Sequence, residues 1–342
     1  MTDIKKYNYF SILLPTNYIN SHFKCFGHFT TDHLFYLFKF KHFLKKEYEI
    51  NIKSINIICK QEYLRKFMLE FYNLLFDEVL INSSKNSNNS MNLGIVLGSL
   101  EGTEKKRIYL AKNKFKNKYI PNELYENSRK ISDNNKLYIK LFRNYLLKRV
   151  NMQEGNNQKI DFLIINRKNN GRRWINMNLL VNELSKKGVK YEIKNMEEYN
   201  LREQILIVNN SKTILFPSGS SQAHLLWVNP KSTCIECFIP GHRYINSISY
   251  AINLGVNLIT LFSKLNIDIS KFNINNNIKK LIKYNNEASQ ELYSKNITEK
   301  KINSEISWFE IFLLPECEKY YFRQCVEDLD IKLYLNKIIN HL

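Results

Sequence analysis

Thr213-Ile214-Leu215-Phe216-Pro217-Ser218-Gly219-Ser220-Ser221 is the stretch whose reading decides the fold. Residues 213–216 form an apolar run that suits a strand, Pro217 to Ser221 suit a tight turn, and residues 222–228 carry a helical pattern. Strand, turn and helix in that order is the unit from which parallel sheets are built. Working outward, the unit repeats. Upstream, residues 161–165 read as a strand ending at Asn166-Arg167, and 176–187 as a helix stopped by Gly188 in a C′ position. Residues 189–193 read as a strand and 201–209 as a short helix. Downstream, 233–238 read as a strand, 243–253 as a helix closed by Gly255, and 256–261 as a strand. This alternation predicts a parallel sheet with right-handed crossovers and helices on both faces. Such sheets bind ligands at the carboxyl ends of their strands, which directs attention to loops 166–173, 217–221 and 239–244.

The polar stretch 151–159, with Gly155, is the best domain linker. It separates a first domain at 1–150 from a second at 151–270, leaving a tail at 271–342. In the first domain, 55–59, 79–81 and 93–97 read as strands. Residues 61–76 read as a helix with Leu64, Phe67, Met68, Phe71, Leu74 and Leu75 on one stripe. Residues 134–150 also look helical. Lys39-Phe40-Lys41-His42-Phe43 has the spacing of an amphipathic helix with Lys outside and Phe inside. The tail reads as mostly helical, with Trp308, Phe309, Phe312 and Leu313 as an apolar patch.

The chain has 342 residues, 44% hydrophobic and 13% aromatic, which suits two folded domains and excludes a disordered chain. The formal net charge is +19. A basic surface of this kind suits nucleic acid, an anionic membrane or a phosphorylated substrate. The lysines are scattered rather than clustered on one helix, so nucleic acid is not the expected partner. Heavy use of Lys, Asn and Ile also fits a compositional habit. The six cysteines make no framework. Cys234-Ile235-Glu236-Cys237 lies in a strand, where alternation puts the two sulfurs on opposite faces, unsuited to zinc or a redox pair. Reduced thiols and the lack of a membrane span or signal peptide lead to an expected cytoplasmic location, with possible rest on a membrane through basic surface. Asp328-Leu329-Asp330 is the one D-x-D, and its place near the end of the sequence suits a solvated acidic patch rather than a metal site.

Three features carry chemistry. The turn at Ser218, Gly219, Ser220 and Ser221 offers close backbone approach and helix-capping hydroxyls, which together suit a diphosphate. Arg167, Arg172 and Arg173 lie in the loop after the first strand of the same sheet, and guanidinium groups grip diphosphate oxygens bidentately. Glu236, at the end of its strand, can accept from ribose hydroxyls. An ordinary turn, a solvated basic loop and a paired carboxylate are the plainer readings of the same residues.

Ile164-Ile165-Asn166-Arg167 followed by Gly171-Arg172-Arg173-Trp174-Ile175-Asn176 resembles the opening of glycosyltransferase family 61. Glu203-Gln204, Pro217 to Ser221, Pro230, Ile235-Glu236, Pro240, Tyr250-Ala251 and Leu254-Gly255 follow in the family's order. Gly27 to Leu34, with Leu37-Phe38, looks like the family's first-domain segment. The resemblance implies an α/β protein of the GT-B type, with two Rossmann-like domains facing a cleft. It implies an inverting transferase with a nucleotide-sugar donor, UDP-linked by expectation, a glycan or glycoconjugate acceptor, and no cofactor or metal. The donor would sit at Arg167, Arg172, Arg173, Ser218, Gly219, Ser220, Ser221 and Glu236. Asp32 is the first candidate for the base that takes the acceptor proton, with His28 second and no role for His33. Ser218 stands where the family has His, Ser220 where it has Ala, and His224 where Asn is usual. A degenerate transferase and a non-catalytic basic protein binding nucleic acid or anionic membrane are the alternatives.

Overall fold

In the computed structural model, the residues described are 9–13, 26, 29–49, 51–58, 64–82, 92–97, 108–110, 135–152, 159–168, 172–238, 246–262, 291–294 and 329–342. The chain divides into two compact units, Met1–Asn151 and Met152–Leu342.

The first unit's strands are β1 (Tyr9–Leu13), β2 (Ser54–Ile58), β3 (Glu78–Asn82), β4 (Asn92–Leu97) and β5 (Ile108–Leu110). Their order is β3-β2-β1-β4-β5, parallel throughout except for β4 against β5. The 3-2-1-4 order is that of half a Rossmann sheet. Its central strand, β1, goes unmarked in the sequence reading. A strand paired on both sides needs no regular polar alternation, so a five-residue stretch of Tyr, Phe, Ser, Ile and Leu carries little signal. A π-helical turn, Phe29–Leu34, leads into helix α1 (Phe35–Tyr48); helices α2 (Lys66–Leu75) and α3 (Asn135–Arg149) follow. Phe38 of α1 lies 5.1 Å from the Phe142 ring and 5.3 Å from the Tyr145 ring of α3.

Lys39 overturns the expected outward face of α1. It is fully buried, with Nζ 5.2 Å from the centre of the Tyr138 ring. Lys41 Nζ donates to the Leu75 carbonyl at the end of α2 and stands 4.6 Å from the Phe76 ring. Helix α3 covers the side that an isolated amphipathic helix would leave wet. The lysine stems are therefore packed, and their ammonium groups meet aromatic faces.

The second unit has β6 (Ile160–Asn166), β7 (Trp174–Ile175), β8 (Tyr191–Asn195), β9 (Ser211–Pro217), β10 (Thr233–Cys237), β11 (Asn257–Leu261), β12 (Glu291–Tyr293) and β13 (Leu329–Asp330). Its helices are α4 (Met177–Lys186), α5 (Leu201–Asn209), α6 (Asn246–Leu254) and the five-residue α7 (Leu335–Ile339). The main sheet runs β12-β11-β10-β9-β6-β8, with only β12 antiparallel. The chain winds from β6 out to β8, then crosses back past β6 to β9. Right-handed crossovers in opposite directions put α4 and α5 on opposite faces. The border between β6 and β9 is the switch point, where the connections part and leave a crevice at the carboxyl ends. On the α4 face, Phe162, Ile164, Leu215 and Ile235 pack with Leu180 and Leu184.

One expectation changes in this unit. The helix expected at 222–228 is a seven-residue 3-10 helix, Ser220–Leu226, that begins directly after Gly219 and ends two residues earlier than expected. Most of the tail expected to be helical lies outside the described residues. Its described parts are β12, β13, a 3-10 turn at Ile331–Leu333 and α7, while Trp308, Phe309, Phe312 and Leu313 lie outside the described residues. Leu329, Ile331, Tyr334 and Ile338 from this last segment join the α4-face core. Among the described residues, no helix is long and apolar enough to cross a membrane.

Candidate functional site

Strands β6 and β9 are neighbours, so the loops leaving Asn166 and Pro217 meet at the switch point. There Arg167 Nη2 donates to Ser220 Oγ at 3.1 Å, and Arg172 Nη1 donates to the Ser218 carbonyl at 2.9 Å. Gly219 lies between these contacts with φ +130°, in the region that favours glycine. A Cβ on Gly219 would stand 2.0 Å from Arg172 Nη1 and 3.5 Å from Arg167 Nη2. Two half-buried guanidinium groups thus converge on one bare peptide. Arg172 itself has φ +60°. Such conformations cost energy and persist where the surroundings hold them.

The expected hydroxyl cap is absent. Gly219 is the N-cap of the 3-10 helix and makes no side-chain cap bond, and Ser220 Oγ accepts from Arg167 instead. Ser218 is buried under the turn, and its amide donates to the Cys237 carbonyl at 2.8 Å. Ser221 is buried as well. Arg173 has an exposed side chain, and its carbonyl accepts from the Leu329 amide at 2.8 Å. The structure therefore brings Arg167, Arg172, Gly219 and Ser220 together at the rim, with Arg173 one residue outward.

Glu236 lies beneath this rim and is fully buried. Burial pushes its pKa up to about 8; Ser247, Gln222 and Ser218 beside it pull only partly the other way. Among the described residues, neither carboxylate oxygen has a partner at hydrogen-bond geometry. At neutral pH the group is mostly protonated, because an ionised carboxylate would be left unsolvated. Cys237 joins the α4-face core while Cys234, an odd number of residues away, faces the other side. Both are free thiols whose pKa burial raises.

Asp330 of the D-x-D accepts from Asn176 Nδ2 and from the Lys332 amide, each at 3.0 Å, while Asp328 lies outside the described residues. It serves the fold rather than a bare acidic patch. In the first unit, the backbone of Asp32 lies in the π-helical turn that opens α1. Its side chain, and the whole of His28, lie outside the described residues. His33 is buried, with Nε2 2.6 Å from Tyr72 Oη, and burial lowers its pKa to about 3.

Trp174 is a residue that the sequence reading used only for its place in a motif. Its amide donates to Asn166 Oδ1 and its Nε1 to the Ile165 carbonyl, both at 3.0 Å, which ties the two ends of the arginine loop together. A tryptophan one residue after two arginines is the only local signal for that clasp. Nothing local marks the pairing of β7 with β13, because the partner lies far along the chain.

The family model for Glycosyltransferase 61 matches residues 26–235. The chain belongs to glycosyltransferase family 61. The matched span takes in the π-helical turn, the arginine loop and the Pro217 to Ser221 turn, and ends one residue before Glu236. No curated protein matches the chain. Membership of family 61 points to sugar transfer as the general activity, with a sugar donor and a glycan acceptor.

Proposed function

We propose that this family-61 member transfers a sugar from a nucleotide diphosphate donor to a glycan or glycoconjugate acceptor, with inversion and without a metal. The observation that carries the reading is the convergence of Arg167 and Arg172 on Gly219 at the switch point. A diphosphate laid over that bare peptide meets two guanidinium groups, which grip phosphate oxygens bidentately. The anion site rests on these groups, since a seven-residue 3-10 helix adds little dipole.

The reaction needs two things. An acceptor hydroxyl attacks the sugar's anomeric carbon from the face opposite the phosphate, and a base takes its proton. The bond from that carbon to the β-phosphate oxygen breaks, and the nucleoside diphosphate leaves with its extra charge held by Arg167 and Arg172. Asp32 is our candidate base, with His28 second. In support, Asp32 sits in a π-helical turn, a local distortion common at functional positions. The first unit then serves the acceptor and the second the donor, as in the GT-B arrangement. Glu236 supports the turn from beneath, and uracil is our choice of nucleobase, as in UDP.

The test is a thermal-shift screen of UDP, GDP, CDP and their sugars without added metal. Native-state binding raises the melting temperature by mass action, by RT ln(1 + [L]/Kd) in free energy. A shift with UDP that disappears in Arg172→Ala supports the donor site. No shift with any nucleotide at millimolar concentration overturns it and favours a degenerate transferase or a basic binding protein.

A further inference from the structure

We propose that strand β13 is a working part of the anion site, and that the Asn176–Asp330 hydrogen bond sets how tightly Arg172 holds a diphosphate. The inference rests on the donor-site reading above, and it concerns a segment 94 residues past the end of the family match at 235.

The loop that bears Arg172 is held from three sides. Trp174 clasps its two ends. Strand β7 pairs in parallel with β13, Leu329 opposite Trp174 and Asp330 opposite Ile175, with the Leu329 amide bonded to the Arg173 carbonyl. Asn176 Nδ2 then donates to Asp330 Oδ1 at 3.0 Å. Behind the loop, the Tyr334 ring meets the Trp174 ring edge to face at 6.4 Å, and its hydroxyl donates to the Phe238 carbonyl.

The need for such a brace follows from the backbone. Arg172 and Asn176 both sit at positive φ, +60° and +58°. A stretch of five residues with two left-handed non-glycine positions relaxes when its tethers go. Arg172 Nη1 is 2.0 Å from where a Gly219 Cβ would be, so it owes its place to a close fit that small loop shifts abolish. Asn176 and Asp330 touch neither rim arginine directly; they are positioning residues.

The experiment uses the full chain and two ends of one bond. Asn176→Gly removes the side-chain donor and keeps the left-handed backbone at no steric cost. Asp330→Ala removes the acceptor, together with its cap on the Lys332 amide. Lys337→Met, beyond β13, removes the donor to the Phe262 carbonyl, away from the loop, and serves as control. Two quantities are read: the affinity for inorganic pyrophosphate and UDP by calorimetry, and amide hydrogen exchange over 172–176. Each of the first two variants should weaken binding roughly tenfold, the scale of one charge-assisted hydrogen bond, and the double variant no more than either. Exchange over 172–176 should rise in both, while Lys337→Met leaves affinity unchanged. Unchanged exchange over 172–176 in Asn176→Gly and Asp330→Ala overturns the brace, as does unchanged affinity in both variants when the wild type binds. Faster exchange in a protein whose wild type binds neither pyrophosphate nor UDP sustains the brace and overturns the donor-site reading instead.

Discussion

Gly219 shows how much one missing carbon can decide. Gly219→Ala puts a Cβ onto Arg172 at a φ that alanine resists, so the guanidinium must leave its place. We expect a loss of about 1–3 kcal/mol in stability by urea denaturation, together with loss of the UDP-induced shift. Glu236 gives a second prediction. Its folded pKa of about 8 lies above the usual 4.5, so the folded state holds the proton longer than the unfolded chain. That contribution is fully present below about pH 4.5 and is lost as pH rises through about 8. The wild-type melting temperature should therefore fall between pH 6 and pH 9 (roughly that window), and Glu236→Gln, which never ionises, should flatten the slope. Buried His33 and His224, each lowered to about 3, act in the opposite sense on acidification. Their share is lost as pH drops from about 6.5 through 3. The placement of Arg167, Arg172 and Gly219 in loops after strands was legible residue by residue, because strand and turn patterns mark the ends of β6 and β9. The depth of Glu236 was not. A strand covered on both faces buries every residue, and a polar letter within it does not say whether it meets solvent or core.

Among the elements, α5 carries its own boundary signal. Asn200 accepts from the Glu203 amide while the Glu203 side chain accepts from the Asn200 amide, a reciprocal capping box. Asn200→Ala should cost about 1 kcal/mol in urea denaturation and leave nucleotide affinity unchanged, since α5 bears none of the rim. The helix expected at residues 201–209 has the observed ends, and the cap is the local signal that fixes the first of them. The helical pattern at 222–228 did not show that the helix is of the 3-10 type or that it starts at Ser220. Only fifteen residues separate the end of β9 from the start of β10, and periodicity over so short a stretch does not distinguish the two helix types. In helix α1 the run Lys39 to Phe43 was expected to carry its lysines outside, and Lys39 is buried instead, because a second helical neighbour leaves no mark on the first helix's sequence.

At the scale of the whole chain, the charge is unevenly shared. Residues 1–151 hold 26 Lys+Arg against 13 Asp+Glu, a net +13 of the total +19. If the donor is the nucleotide diphosphate proposed above, its approach is steered by a field that salt screens, with a Debye length of about 10 Å at 0.1 M and about 3 Å at 1 M. The association rate of UDP by stopped flow should fall as sodium chloride is raised, more than its dissociation rate rises. The fold class of the second unit was legible at this scale because strand and helix periods alternate without interruption. The mutual pairing of β7 and β13 was not, since two-residue strands have no period.

That pairing also puts the site on a clock. Asn176 and Asp330 are 154 residues apart. At roughly 5–20 residues per second, a ribosome adds that stretch in about 8–30 s. The sheet from β6 to β11 emerges well before β13 does. A growing chain can therefore own the scaffold of a sugar transferase while its arginine loop still waits for the strand that fastens it.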